Sequence, residues 1–219
     1  MPDLKITTAL IFDLDNCLAA ANEVGEQFFA PAFDAIKQTN HGSLADEKLN
    51  EALADCWRHS LDWVAHKHSF SDAMLSAAWQ AFAALEIKQP LYGYGDLHCL
   101  NELPQPQFLV TSGFRRLQAS KIRALQLESR FTAIHIDAID EPNRVGKQSL
   151  FERIMSGHHL QPDQVWVIGD NADSEIAAGN RLGLKTIQML RPGVPYADSA
   201  GFHIESLTEL KKLIDETTT

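Results

Sequence analysis

Two carboxylates two positions apart, Asp13 and Asp15, follow the apolar run Ala9-Leu10-Ile11-Phe12. Such a run reads as a buried strand. Side chains at i and i+2 of a strand share a face, so the spacing predicts both carboxylates at the carboxyl end of a central strand, where open α/β sheets bind ligands. Like charges held that close need a cation or a shared proton. Hard oxygen donors with room for a substrate phosphate favour Mg²⁺. An isolated Asp-x-Asp pair is more often an acidic turn that caps a helix, but three later stretches carry complementary chemistry. Thr111-Ser112-Gly113 sets two hydroxyls before a helical run, where phosphate oxygens can be held and where an ordinary N-cap uses the same residue types. Lys147, in Arg144-Val145-Gly146-Lys147, precedes the helical run Ser149-Leu150-Phe151; taken alone it reads as a surface lysine. Gly169-Asp170-Asn171-Ala172-Asp173-Ser174-Glu175 places acids before another helix, a pattern shared by solvated acids at helix starts.

The elements that must position these residues alternate. Strands are expected at about Ile6 to Phe12, Gln107–Val110, Ala133–Ile136, Val165–Ile168 and Lys185–Met189, with helices at roughly 115–127, 147–157 and 172–182. Strand–helix alternation predicts an α/β fold with a three-layer, Rossmann-like parallel-sheet core. The segment from about 20 to 90 differs, being poor in β-branched residues and rich in Ala, Leu, Phe and Trp at helical spacing. Phe28, Phe29, Ala32, Phe33 and Ile36 form one stripe, and Leu75, Ala78, Trp79, Phe82 and Leu85 another. Pro31 either kinks the first stripe or marks its start, and Ser71-Asp72 is a candidate cap for the last helix. The expected organisation is a core of residues 1–19 and 92–219 with a helical lobe over 20–91. Its hinges are expected at Ala19 to Asn22 and at Leu91-Tyr92-Gly93-Tyr94-Gly95, where glycine permits backbone swings.

Composition narrows the function classes. The 219 residues are 45% hydrophobic and 22% charged, as in a globular protein with a sizeable core. A formal charge of −10 argues against nucleic acid or an anionic membrane as the main partner, while a local cationic pocket still permits a phosphorylated substrate. Cys17, Cys56 and Cys99 are scattered and read as reduced thiols of a cytoplasmic protein. The start, Met1-Pro2-Asp3-Leu4-Lys5, lacks the features of a signal peptide.

Asp-x-Asp, Thr/Ser, Lys and Gly-Asp in this order resemble the haloacid dehalogenase-like superfamily of phosphohydrolases, and the match covers about two thirds of the chain. The continuation Ile176-Ala177-Ala178-Gly179-Asn180-Arg181-Leu182-Gly183 is similar to the family's helix after its last acidic motif. The long insert resembles the helical cap of phosphoglycolate phosphatase-like and nucleotidase-like members. The resemblance implies a Mg²⁺-dependent phosphatase acting on a small phosphorylated metabolite through an aspartyl-phosphate. Asp13 would be the nucleophile and Asp15 the general acid and base. Thr111, with Ser112 and Gly113, would bind the phosphoryl oxygens, and Lys147 would neutralise charge. Asp13, Asp170 and the Asp15 carbonyl would hold the metal, supported by Asp173 or Glu175. Cys17 stands where the family usually has Thr or Val, which implies tuning and not loss of activity. Asn16 in place of the commoner Gly is seen in family members.

Other readings weigh less. Cys56, His59, His66 and His68 fit no closed zinc spacing. Trp57, Trp63 and Trp79 read as interior of the insert before substrate platform. Arg58 and His59 could recognise a leaving group, and Arg115 and Arg116 a second anionic group, but solvated helix positions explain all four. A 2-haloacid dehalogenase needs neither Mg²⁺ nor a second acid. A phosphomutase would share the aspartyl-phosphate. A receiver-type phospho-acceptor module, the non-enzyme alternative, takes its phosphorylated Asp from a later strand of a much shorter chain.

Overall fold

A computed structural model describes residues 9–217. β1 (Ala9–Phe12) is buried along its whole length and lies between β2 (Gln107–Gly113) and β4 (Val165–Gly169). With β3 (Ala133–Ala138), β5 (Lys185–Met189) and β6 (Phe202–Ile204) they form a parallel sheet of order β3-β2-β1-β4-β5-β6. The expected start of the first strand, Ile6 to Thr8, falls outside the described residues. The chain runs outward from β1 in both directions, so the carboxyl end of β1 lies at the switch point where such sheets form clefts.

Strand alternation divides the core. Leu10, Phe12, Leu109, Trp166, Ile168 and Ile187 join one apolar layer, with Leu117 and Ile122 of α5 (Arg115–Ala124) and Leu207, Leu210 and Ile214 of α8 (Leu207–Thr217). Ala9, Ile11, Phe108, Val110, Val165 and Val167 join the opposite layer, with Leu150, Phe151 and Ile154 of α6 (Gly146–His158) and Ala178 of α7 (Ala177–Arg181). This is the expected helix–sheet–helix arrangement. The short β6, Phe-His-Ile, and α8 were not expected: three residues give too little alternation to read as a strand.

Between β1 and β2 lie α1 (Ala30–Thr39), α2 (Asp46–Asp55), α3 (Leu61–Lys67) and α4 (Asp72–Ala83). Pro31 sits in the first turn of α1, where a missing N–H costs nothing, so it starts the helix and does not kink it. The Ser71 hydroxyl accepts from Met74 N at 3.3 Å and caps α4. Phe82 of α4 stacks on Phe114 at the head of α5, with centroids 5.8 Å apart, so apolar packing is continuous from the insert into the sheet domain. Among the described residues no helix is long and apolar enough to cross a membrane.

The two crossings into the insert are tied together. The Glu23 carboxylate accepts from the Tyr92 and Gly93 amides, at 2.5 and 3.0 Å, and Tyr94 N donates to Leu18 O at 3.0 Å. Gly93 has a φ of +65°, and a Cβ there would lie 2.6 Å from Leu97 Cδ1 and 2.8 Å from Leu18 O. It serves a close backbone approach that a side chain would obstruct. Gly93→Ala is therefore expected to cost about 1–3 kcal/mol of stability by chemical denaturation. Gly95→Ala, with open space around its Cβ position, is expected to cost under about 0.5 kcal/mol. Equal costs would show that the Gly93 approach is not the constraint.

Candidate active site

The site grows from the end of β1. Asp13 N donates to Ile168 O at 2.9 Å, which extends the pairing with β4 by one residue. Leu14 is fully buried, so the chain turns Asp13 and Asp15 toward the cleft. Asn16, at a φ of +54°, then reverses the backbone, and its side-chain oxygen accepts from Ala21 N at 3.1 Å.

Lys147, at the start of α6, is the centre of the arrangement. Its Nζ lies 2.7 Å from Asp13 Oδ1 and 2.7 Å from Glu175 Oε2, and all three side chains are buried. Glu175 reaches inward from a π-helical turn over Ala172–Ile176, a local form frequent at functional sites. Its other oxygen accepts from Asn171 N at 2.6 Å. The turn can close because residue 169 is glycine; a Cβ there would lie 2.3 Å from Glu175 Cγ. Asp170 completes the group: single oxygens of Asp13, Asp170 and Glu175 all lie within 4.8 Å of one another. Of the two acids left open by the sequence, Glu175 contacts Lys147, whereas Asp173 is exposed at the cavity rim.

Asp15 has separate partners. Its oxygens lie 2.6 Å from Lys121 Nζ and 2.9 Å from Gln118 Nε2, both on α5, so its side chain stands outside the Asp13–Asp170–Glu175 group. Gln118 Nε2 also reaches Thr111 Oγ1 at 2.7 Å and Ser112 O at 2.9 Å. Thr111 is buried beside the carboxylates. The Ser112 hydroxyl turns away and donates to Asp137 Oδ2 at 3.1 Å. Gly113 holds a φ of +149° against Gln118, whose Cγ would meet a Cβ at 3.1 Å. Gln118 and Lys121 were not singled out in the sequence, where residues three apart on a helix read as ordinary surface.

Burial, only partly offset by Lys147, pushes the Asp13 carboxyl up to about 7. Burial, then the charges of Glu175 and Asp13, pushes Asp170 up to about 8. Burial alone would lower Lys147, but Asp13 and Glu175 outweigh it and hold the ammonium above its ordinary range. Lys147 thus contacts two of three buried carboxylates, and the third, Asp170, has Arg58 Nη2 of the insert at 3.5 Å. Hard oxygen donors with unbalanced negative charge fit a divalent cation such as Mg²⁺, which the Asp13 and Asp170 carboxylates could hold.

The remaining candidates sort by contact. Arg115 pairs with Glu141 at 2.6 Å and Arg116 with Glu86 at 2.5 Å, both exposed, so neither awaits a second anionic group. His68 pairs with Asp55 at 2.7 Å, and among the described residues Cys56, His59, His66 and His68 do not converge as a ligand set. Burial pushes the Cys56 thiol up to about 12. Cys17 is buried with Sγ 3.7 Å from Ile168 O, a packing role. Trp57 packs edge-on against Phe29 at 4.6 Å and Trp79 against Phe114 at 5.1 Å. Arg58, His59 and Trp57 also line the cavity of about 500 Å³ above the carboxylates.

Residues 7–183 match the family model of the haloacid dehalogenase-like hydrolases. No curated protein matches the chain. Among solved structures, the magnesium-bound hydrolase YfnB of Bacillus subtilis is 16% identical, with a TM-score of 0.64 over 95% of this chain and 98% of that one. A phosphatase of Thermococcus onnurineus is 17% identical, with a TM-score of 0.62 over 94% and 97%. A 2-haloacid dehalogenase of Pseudomonas syringae is 16% identical, with a TM-score of 0.56 over 96% and 99%.

The raised carboxyls make a linked prediction. Asp13 and Asp170 hold protons more tightly folded than unfolded between about pH 4 and pH 8, so the metal-free protein loses stability as pH rises through that window. Mg²⁺ competes with those protons. Added Mg²⁺ should therefore raise Tm more at pH 8.5 than at pH 6. A larger rise at pH 6 would separate the metal site from these carboxyls.

Proposed function

This chain belongs to the haloacid dehalogenase-like hydrolases, and within that family we propose that it is a Mg²⁺-dependent phosphomonoester hydrolase acting through an aspartyl-phosphate on Asp13. The observation that carries the reading is the buried Asp13–Lys147–Glu175 chain, 2.7 Å at each contact, beside Asp170. A carboxylate attacking carbon needs neither a second acid nor a metal, and Asp15 and Asp170 fit those two roles, whereas phosphoryl transfer needs positive charge concentrated around a carboxylate nucleophile. Of the structures that share the fold, one is bound to magnesium and another is a phosphatase.

In the first half-reaction an Asp13 oxygen forms a bond to phosphorus as the bond to the ester oxygen breaks. The leaving oxygen takes its proton from Asp15. In the second, Asp15 accepts a proton from water as that water attacks phosphorus, releasing inorganic phosphate and regenerating Asp13. Lys147 offsets charge on Asp13 and on the phosphoryl oxygens. The Thr111 hydroxyl, oriented by Gln118, donates to one of those oxygens. Glu175 holds Lys147 in place, and Lys121 and Gln118 hold Asp15 on the leaving-group side. When bound, Mg²⁺ supplies the remaining charge compensation for the phosphoryl group.

A screen of phosphorylated metabolites with and without Mg²⁺ tests the reading: phosphate release that depends on Mg²⁺ is expected. Asp13→Asn should cut it at least about a thousandfold. Halide release from 2-haloacids without Mg²⁺, and no phosphate release, would assign the dehalogenase chemistry instead. Lys121→Met isolates the proton-transfer role. It should slow an alkyl phosphate about tenfold or more relative to 4-nitrophenyl phosphate, whose leaving group needs no proton. Equal losses would reduce Lys121 to a structural contact.

A further inference from the structure

We propose that the cavity selects phosphomonoesters with an uncharged apolar or aromatic leaving group and rejects esters bearing a second anionic group. The inference rests on the phosphatase reading and specifies its substrate class. Among the described residues, the lysines and arginines lining the cavity are Arg58, Lys121, Arg144 and Lys147. Each is already engaged. Arg58 meets Asp170 at 3.5 Å and donates to Gly193 O at 2.9 Å. Lys121 meets Asp15 at 2.6 Å, and Lys147 meets Asp13 and Glu175 at 2.7 Å. Arg144 donates to Asp137 at 2.9 Å and pairs with Asp62.

Carboxylates in the lining outnumber these cations by two, Asp13, Asp15, Asp62, Asp170, Asp173 and Glu175 against four. Lys147 and a divalent cation at Asp13 and Asp170 would face the phosphoryl group, and with Arg58, Lys121 and Arg144 paired to carboxylates of the lining a carboxylate or second phosphate on the leaving group finds no unpaired lysine or arginine. Removing such an anion from water without one is unfavourable.

The wall beside the phosphoryl cradle is apolar. Phe114 directly follows Thr111-Ser112-Gly113 and stacks on Phe82, their planes 4° apart. Phe82 packs on Phe29 at 5.6 Å, and Phe29 on Trp57 at 4.6 Å. Leu117 adds to the same lining. A leaving group extending from the phosphoryl position runs along this wall into a space of about 500 Å³, large enough for a ring system.

The test compares kcat/KM for benzyl phosphate and 2-phosphoglycolate with Mg²⁺ present. Both leave as primary alkoxides, so the ratio reports recognition. Benzyl phosphate should be favoured at least about tenfold, and Trp57→Ala should narrow that ratio. Phosphate release with 2-phosphoglycolate equal or better would overturn the proposal and leave the phosphatase reading standing. Calorimetry with benzylphosphonate and phosphonoacetate, again with Mg²⁺, reads the same preference without turnover or a variant. If neither ester is hydrolysed, the metabolite screen decides the phosphatase reading and binding alone decides the ligand class. Tighter benzylphosphonate binding by about tenfold would still uphold the ligand class, and equal or absent binding would overturn it.

Discussion

A buried ammonium with two carboxylates at 2.7 Å constrains every element around it. A lysine removed from water is tolerated only where charge and hydrogen bonds replace hydration, and removing one partner leaves a costly unpaired charge. The start of α6 must therefore approach the end of β1, and the turn after β4 must fold Glu175 back toward both. Gly169 makes the last step possible by leaving out a Cβ that Glu175 would strike. The π-helical turn sets which acid faces inward. The pairing of β1 with β4, extended by Asp13 N on Ile168 O, sets Asp13 close to Asp170 despite like charge, so the sheet's central strand ends in concentrated, poorly compensated negative potential.

The insert meets that potential with two kinds of contact. Its apolar side joins the sheet domain through Trp79 and Phe82 on Phe114. Its charged side reaches Asp170 through Arg58 and Arg144 through Asp62. Area buried by aromatic rings is insensitive to small displacements, whereas charge pairs are directional and weaken in water. Both kinds of contact hold the insert on the core.

Much of this was readable from the sequence, for identifiable reasons. β1, β2 and β4 announce themselves because strands buried on both faces carry continuous apolar runs. The order of Asp13, Thr111, Lys147 and Asp170 along the chain is legible because each falls directly after a strand or at a helix start. β6 was not, since Phe-His-Ile lacks a periodic signal. Nor were Gln118 and Lys121: nothing local shows that this face of α5 looks at Asp15 and not at solvent. The choice between Asp173 and Glu175 depends on one extra residue in a helical turn, which composition does not encode. Arg115 and Arg116 looked well placed because helix α5 starts at the site, yet Glu141 and Glu86 draw them outward.

The tie between Leu18 and Tyr94, with Glu23 clasping the Tyr92 and Gly93 amides, has a topological consequence. The chain leaves and rejoins the sheet domain at neighbouring backbone positions, so the whole intervening segment is, geometrically, one very long loop with its ends already closed. The entropy of closing a loop grows only logarithmically with its length. The sheet domain is thus nearly indifferent to how many residues are interposed there. A lineage could lengthen, shorten or exchange this cassette while β1 still delivers Asp13 to the same place, so that chemistry and selectivity can change independently.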